Sequence, residues 1–475
     1  MLHAYEVVIG LEIHAQISSK TKMFCSCSTD SFGKPPNSNV CPICMGFPGM
    51  LPATNKECVE KGIRAALALN CEIPSFSKFD RKNYFYPDLP KGYQISQFDQ
   101  AVSGKGFIEV EGGRRIGITR LHLEDDAGKL THTSRGTLCD YNRSGAPLME
   151  IVSEPDMRSV AEASAYAQEV RRILRYVGSS DCDMEKGMMR FDLNVSLRPV
   201  GQDEFGTKVE VKNLNSFRSL ERALEYEIRR QEEMLENGQK IAQETRGWDD
   251  DKAETVSQRG KEQAHDYRYF PEPDLPPVEV EESRVLEYKK ELPELPRLRR
   301  ARFVSEYGLS EHDALFLAEE PERADYFEEV IRVSGDMKKA ASFVTTILFG
   351  ALKRDQRSLS ESPISARQLG TLVKRIVEGK LSTNQAKGEV FEAMYSTGKD
   401  PDAVIDELGL SVVSDAGAID ELCKKVIEAH PGPVADVQGG KEQAIGFLVG
   451  QVMKESRGTA QPPVVQERLR ALLGL

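Results

Sequence analysis

Strand-like patterning in this chain stops at a proline-rich tract, residues 271–296. Before the tract, several segments alternate apolar and polar residues with the period of a β-strand. Beyond it, apolar residues recur only at helical spacing, from Arg300 to about Asp355, from Ser365 to Leu408 and through the final 65 residues. Ser365, Ser382 and Asp400-Pro401 are helix-start signals in that half. The tract is therefore read as a domain boundary. With 475 residues, two to four domains are expected.

The first strand is the most informative. In Val7–Ile17, Ile9, Leu11, Ile13, Ala15 and Ile17 make one unbroken apolar face. Gly10, Glu12, His14 and Gln16 make the other. Glu12 and His14 point the same way, roughly 7 Å apart along the strand. Such a pair is either a solvated face or half of a metal or acid/base site, and the other half must come from elsewhere.

Two segments offer it. Residues 116–129 alternate like a strand and then run into Glu124-Asp125-Asp126. Carboxylates at a strand end suit Mg²⁺, which prefers oxygen ligands and keeps several waters. Glu150 lies inside the apolar strand Leu148-Met149-Glu150-Ile151-Val152. A carboxylate there is costly unless paired or metal-bound, so Glu150 is the least ordinary acid in the chain.

Cys25 and Cys27 form one close pair and Cys41 and Cys44 another, separated by a loop rich in Pro, Asn and Gly. Four thiolates so arranged suit a tetrahedral structural Zn²⁺ site, closed to substrate. Nine cysteines, several placed singly in helix-like segments, fit a reducing, cytoplasmic setting better than a disulfide framework. No apolar run approaches the length of a membrane span, and the N-terminus does not read as a secretory signal.

Residues 77–93 interleave cations with aromatics. Lys78, Arg81 and Lys82 are candidates to clamp phosphate or carboxylate oxygens. There is no Walker phosphate loop, no GxGxxG after a strand and no GxSxG elbow. Other helices are expected over residues 56–70, over 159–177 with Ser159 and Glu162 at its start, and over about 216–237. A glycine-rich helix, 439–454, carries lysines at its ends and permits close approach to another helix or to RNA. The net charge of −12 argues against broad, charge-driven nucleic-acid binding, DNA included, but not against an RNA held by shape and a local basic patch.

Several long motifs then coincide: Gly10–His14, Ser77–Tyr86, Tyr93–Asp99, Asp140–Pro155, Lys212–Phe217 and Asp266–Pro271. Together they closely resemble the B subunits of bacterial aspartyl/glutamyl-tRNA amidotransferases, over essentially the whole chain. The resemblance implies an α+β fold. An antiparallel-sheet cradle (1–295, with a zinc-binding loop at 25–44) would precede a helical domain (296–408) and a helical tail that touches tRNA (409–475). It implies a three-part complex. The A subunit, an amidase, releases ammonia from glutamine, and a small C subunit ties the other two together. The B subunit would use ATP to phosphorylate the side-chain carboxylate of Glu or Asp misacylated onto tRNA, and ammonia would then displace the phosphate. Matched to the family's metal site, Glu12, His14, Glu124 or Asp125, and Glu150 would surround Mg²⁺. Independently of the family match, chemistry and position make Lys78, Arg81 and Lys82 the expected phosphate and carboxylate clamp, and Lys441, Lys454 and Arg457 are candidates to hold the tRNA. Without the resemblance, a metal-dependent phosphoryl-transfer enzyme and a zinc-ribbon RNA-binding scaffold are the competing readings.

Overall fold

A computed structural model describes residues 4–474 apart from 111, 261–266, 411–415, 440, 442, 457–459 and 461. The described chain divides into two compact units, Met1–Leu295 and Pro296–Leu475. As the segregation of periodicities suggests, strands occupy the first and helices fill the second, an α+β arrangement.

The first unit is built on an eight-stranded sheet. In spatial order its strands are Glu254–Gly260, Glu244–Asp249, Val209–Leu214, Met189–Pro199, Tyr5–Gln16, Pro147–Ser153, Arg115–Asp125 and Gly106–Glu109. Every pairing is antiparallel except that of Val209–Leu214 with Glu244–Asp249. The opening strand therefore sits inside the sheet, with Met189–Pro199 on one side and Pro147–Ser153 on the other.

Its two faces separate as the alternation dictates. Ile9, Leu11, Ile13 and Ala15 are fully buried in one apolar core. Helices Lys56–Ala68, Val160–Tyr176 and Phe217–Glu236 pack on the sheet and contribute Ile63, Val170 and Leu224 to that core. Each such side chain, fully buried, stabilises the unit by about 1.5–3 kcal/mol, which fixes the apolar face inward and leaves the polar residues on the other. Gly62 allows the first helix to lie close to its strand: a Cβ there would meet Leu123 Cδ2 at 2.6 Å. The second and third helices start at Ser159 and Ser216, whose side chains accept the backbone N–H of Glu162 and Ser219. Glu162 does not close a capping box on Ser159; its carboxylate accepts from the Arg158 N–H instead.

A small sheet of Phe270–Pro271, Asp80–Asn83 and Tyr93–Ser96 packs beside the Arg115–Asp125 strand. It brings the aromatic and basic residues of two distant segments to the polar side of the large sheet. The second unit holds two separate apolar clusters, one drawn from residues 303–410 and one from 419–469. Ser365 with Gln368, and Ser382 with Gln385, form complete capping boxes there. Among the described residues no helix is long and apolar enough to cross a membrane.

Candidate active site

The polar face gathers its chemistry by cross-strand register. His14 stands opposite Glu150 on one side and Arg190 on the other. Glu150 in turn stands opposite His122. Glu12 stands opposite Asp192, and Asn194 opposite Glu210. Side chains of directly paired residues share a face, so acids, imidazoles and cations from five strands converge.

Two groups result. In the first, donor atoms of His14, Glu124 and Glu150 lie within 4.8 Å of one another. His14 Nε2 is 3.6 Å from Glu150 and 4.0 Å from Glu124. In the second, Glu12, Asp192 and Glu210 converge equally closely. Glu12 thus shares the face but belongs to the neighbouring group. One imidazole and two carboxylates, arriving from three strands with room for water, fit a hard divalent cation. The His14 Nδ1, buried without a hydrogen-bond partner, marks the imidazole as under-used within the protein alone.

Asp125 is not brought to either group. Leu121 and Leu123 face the core, and Asp125 follows them in alternation. It accepts the Ile95 N–H at 2.8 Å and pairs with the Lys91 ammonium, which ties the small sheet to the strand end. Glu124, on the opposite face, is the acid presented to His14.

The electrostatics follow from burial opposed by cations. Burial pushes Glu12 up to about 7, and the nearby charges of Glu150 and Asp192 add to it. Burial alone would also raise Glu150, but the imidazoles of His122 and His14 and the Lys82 ammonium hold it well below the usual carboxylate range. His122 lies 3.0 Å from Glu150 and 3.6 Å from Glu124. Burial disfavours its charge, yet the two carboxylates prevail and raise it to about 9. Lys212 spans Asp192 at 2.8 Å and Glu210 at 3.0 Å. Asn194 donates to Glu12 at 2.9 Å.

A cleft of about 210 Å³ opens over these residues, lined by Glu12, His14, Glu150, Asp192, Lys82 and Tyr267 among others. Of the three expected clamp residues, Lys82 reaches it, resting 5.0 Å from the Tyr267 ring centre. Lys78 is taken up by Asp80 and Asp99. Arg81 is held bidentately by Glu272 at 2.7 and 2.8 Å, with Asp274 at 3.3 Å, and stacks on Tyr93. Both act here as struts of the small sheet.

His122, Asp192, Glu210 and Lys212 were not singled out from sequence. The signal was present: the same alternation that marks their strands puts each on the polar face.

The four cysteines 25, 27, 41 and 44 meet, with all sulfur atoms within 4.8 Å of one another. A hydrogen bond from Cys25 to Cys44 outweighs burial and lowers the Cys44 thiol to about 4, with help from the Cys41 N–H and Lys22. Four soft donors, one already inclined to thiolate, fit a closed Zn²⁺ site. In the helical unit, Lys441 is exposed and pairs with Asp436 at 2.9 Å, and Lys454 is exposed. Arg457 lies outside the described residues, as does Asp266.

Comparison with known proteins bears out the family resemblance. Residues 7–286 match a family model described as the GatB/GatE catalytic domain, and residues 325–473 one described as the GatB domain. The chain belongs to the family of amidotransferase B subunits. It is 50% identical over 477 residues to the B subunit of the aspartyl/glutamyl-tRNA(Asn/Gln) amidotransferase of Carboxydothermus hydrogenoformans, covering 99% of each chain. It is 48% identical to the protein of the same name in Brevibacillus brevis and 49% to that of Thermodesulfovibrio yellowstonii, again over 99% of each chain. The catalytic-domain match spans both acidic groups and the four cysteines, so all of them lie within the part the family shares.

Proposed function

We propose that this chain is the B subunit of a tRNA-dependent amidotransferase, working in the cytoplasm with an ammonia-releasing amidase (the A subunit), a small linking protein (the C subunit) and misacylated tRNA. The identity of about one half along the full length carries the assignment. The substrate is Glu on tRNA(Gln) or Asp on tRNA(Asn). An oxygen of its side-chain carboxylate attacks the γ-phosphorus of ATP, and ADP leaves. Ammonia then attacks the acyl carbon, phosphate departs with one of the original carboxylate oxygens, and the nitrogen loses a proton to give the amide.

The cleft on the polar face is the site of both steps in this reading. His14, Glu124 and Glu150 would hold Mg²⁺, with Glu12 in the adjoining group of acids. The ion, when bound, neutralises phosphate oxygens and the attacking carboxylate. Lys82, which lines the same cleft, presents an ammonium to the phosphate. His122 fixes the carboxylates of Glu124 and Glu150, and Lys212 fixes Asp192 and Glu210, so these acids need not reorganise when substrate enters. The acyl phosphate is prone to hydrolysis, which favours ammonia delivered by a partner protein over ammonia drawn from bulk water. Residues 25–44 would form the zinc-binding loop, with Cys25, Cys27, Cys41 and Cys44 as ligands. Residues 296–408 form a connecting helical domain, and 409–475 a tail that meets tRNA through Lys441, Lys454 and Arg457.

Purified chain, in complex with its amidase and linking partners, is incubated with Glu-tRNA(Gln), ATP, Mg²⁺ and ammonium. Gln-tRNA(Gln) is the expected product. Failure to form it, and failure to form Asn-tRNA(Asn) from Asp-tRNA(Asn), would leave the chain as an RNA-binding scaffold.

A further inference from the structure

Beside the four cysteines lies a buried charge that the metal reading leaves unexplained. Lys22 is only 1% exposed and ranks among the largest fully buried side chains of the protein. A lysine is almost never buried so completely unless its charge is matched. Its ammonium donates to the Asn39 carbonyl at 2.9 Å and to Cys44 Sγ at 3.7 Å. Among the described residues no carboxylate pairs with it. The negative charge within reach is that of the thiolates.

The position is also a hub. The backbone N–H of Lys22 donates to the Cys27 carbonyl at 2.9 Å, while its ammonium holds Asn39, two residues before Cys41. One residue thus grips both halves of the loop that supplies the cysteine pairs. The neighbouring Met23 N–H donates to the Gly145 carbonyl at 2.9 Å, and Asn39 N–H to Asn142 Oδ1 at 2.8 Å. Those bonds attach the loop to the turn that leads into the Glu150 strand.

We propose that Lys22 is the buried counter-cation of the four-cysteine metal site. Four thiolates around a divalent ion leave two negative charges uncompensated. The Lys22 ammonium offsets one of them from inside the protein and positions Cys44 by an N–H···S bond. The inference rests on the reading of the cysteines as a metal site.

The test uses the full-length chain in its complex. Lys22→Met keeps most of the volume and removes the charge. Zinc content is measured by elemental analysis, and zinc release to a colorimetric chelator is followed in time. Wild-type protein is expected to hold about one zinc per chain, and Lys22→Met to bind it about 10–100-fold more weakly, the usual effect of losing a partner just outside the ligand shell. If Lys22→Met does not fold, Lys22→Gln, which keeps a donor for Asn39 but no charge, is read the same way. A charge effect must depend on the charge of the site. In a Cys27→His background, where the site carries one negative charge fewer, the penalty of Lys22→Met shrinks. An undiminished penalty there would mean packing and not charge, and would overturn the proposal. So would wild-type affinity in Lys22→Met. Wild-type protein without zinc would overturn the metal reading itself, and this inference with it.

Discussion

Asp126→Asn probes the scaffold beneath the active site. Asp126 is buried and accepts two hydrogen bonds from Arg190, at 2.9 and 3.2 Å, with Arg143 Nε also 3.2 Å away. Arg190 is the cross-strand neighbour of His14, and the Asp126 carbonyl accepts the Gly145 N–H at 2.9 Å. Burial works against the carboxylate, but the two guanidinium groups prevail and lower it to about 2. From an ordinary value of 3.8, that shift corresponds to about 2 kcal/mol of stability. Because the folded value is the depressed one, this contribution is complete above about pH 4. It is lost as pH falls toward 2. Asparagine removes it; Arg190 is only half-buried and keeps the charges of Asp192 and Glu124 nearby, so the cost stays at about 2–3 kcal/mol. Thermal melts followed by circular dichroism should show the variant melting roughly 5–10 °C lower at neutral pH. The difference should stay constant between pH 8 and pH 5, where both pKa values lie below the range. A variant that melts with the wild type, or a difference that grows or fades between pH 8 and pH 5, would refute the ion-pair account.

Further outcomes are expected at the site. Glu150→Gln should abolish amide formation while tRNA affinity, measured by filter binding, changes less than about twofold; an equal loss of tRNA binding would reject the metal assignment. Asp125→Asn should leave Mg²⁺ binding intact, because this acid serves Lys91 and Ile95, and lower the melting temperature instead. Lys82→Met should raise the KM for ATP by about tenfold or more through loss of a charge-assisted contact, whereas Lys78→Met should act mainly on stability. Cys58, Cys71 and Cys182, enclosed in the core and pushed up to about 11 by burial, should stay unlabelled by a thiol reagent at pH 7 when the native protein is followed by mass spectrometry.

Much of the fold was written in local pattern. The two faces of the opening strand, the Ser159, Ser216, Ser365 and Ser382 helix starts and the loss of strands beyond residue 296 all depend on neighbours close in the chain, although a short strand, Val278–Glu279, still forms inside the proline-rich tract. Glu150 stood out for the same reason, as an acid inside an apolar strand. Asp192, Glu210, Lys212 and His122 did not, because each is an ordinary polar residue of an alternating strand. Their importance arises from sheet order and register, which bring Glu12 opposite Asp192 and His122 opposite Glu150 from segments more than twenty residues apart. The choice between Glu124 and Asp125 was in principle readable, since Leu121 and Leu123 set the parity of the strand. The engagement of Arg81 by Glu272 was not, because the two are joined only by the pairing of Asp80–Asn83 with Phe270–Pro271.

The central claim is that the cleft activates a carboxylate by phosphorylation before ammonia arrives. Glu-tRNA(Gln) labelled with ¹⁸O in both side-chain carboxylate oxygens tests it directly, with the phosphate released by the complex analysed by mass spectrometry. One ¹⁸O per phosphate, in step with each Gln-tRNA(Gln) formed, is the predicted result. Amide formation with unlabelled phosphate would contradict it.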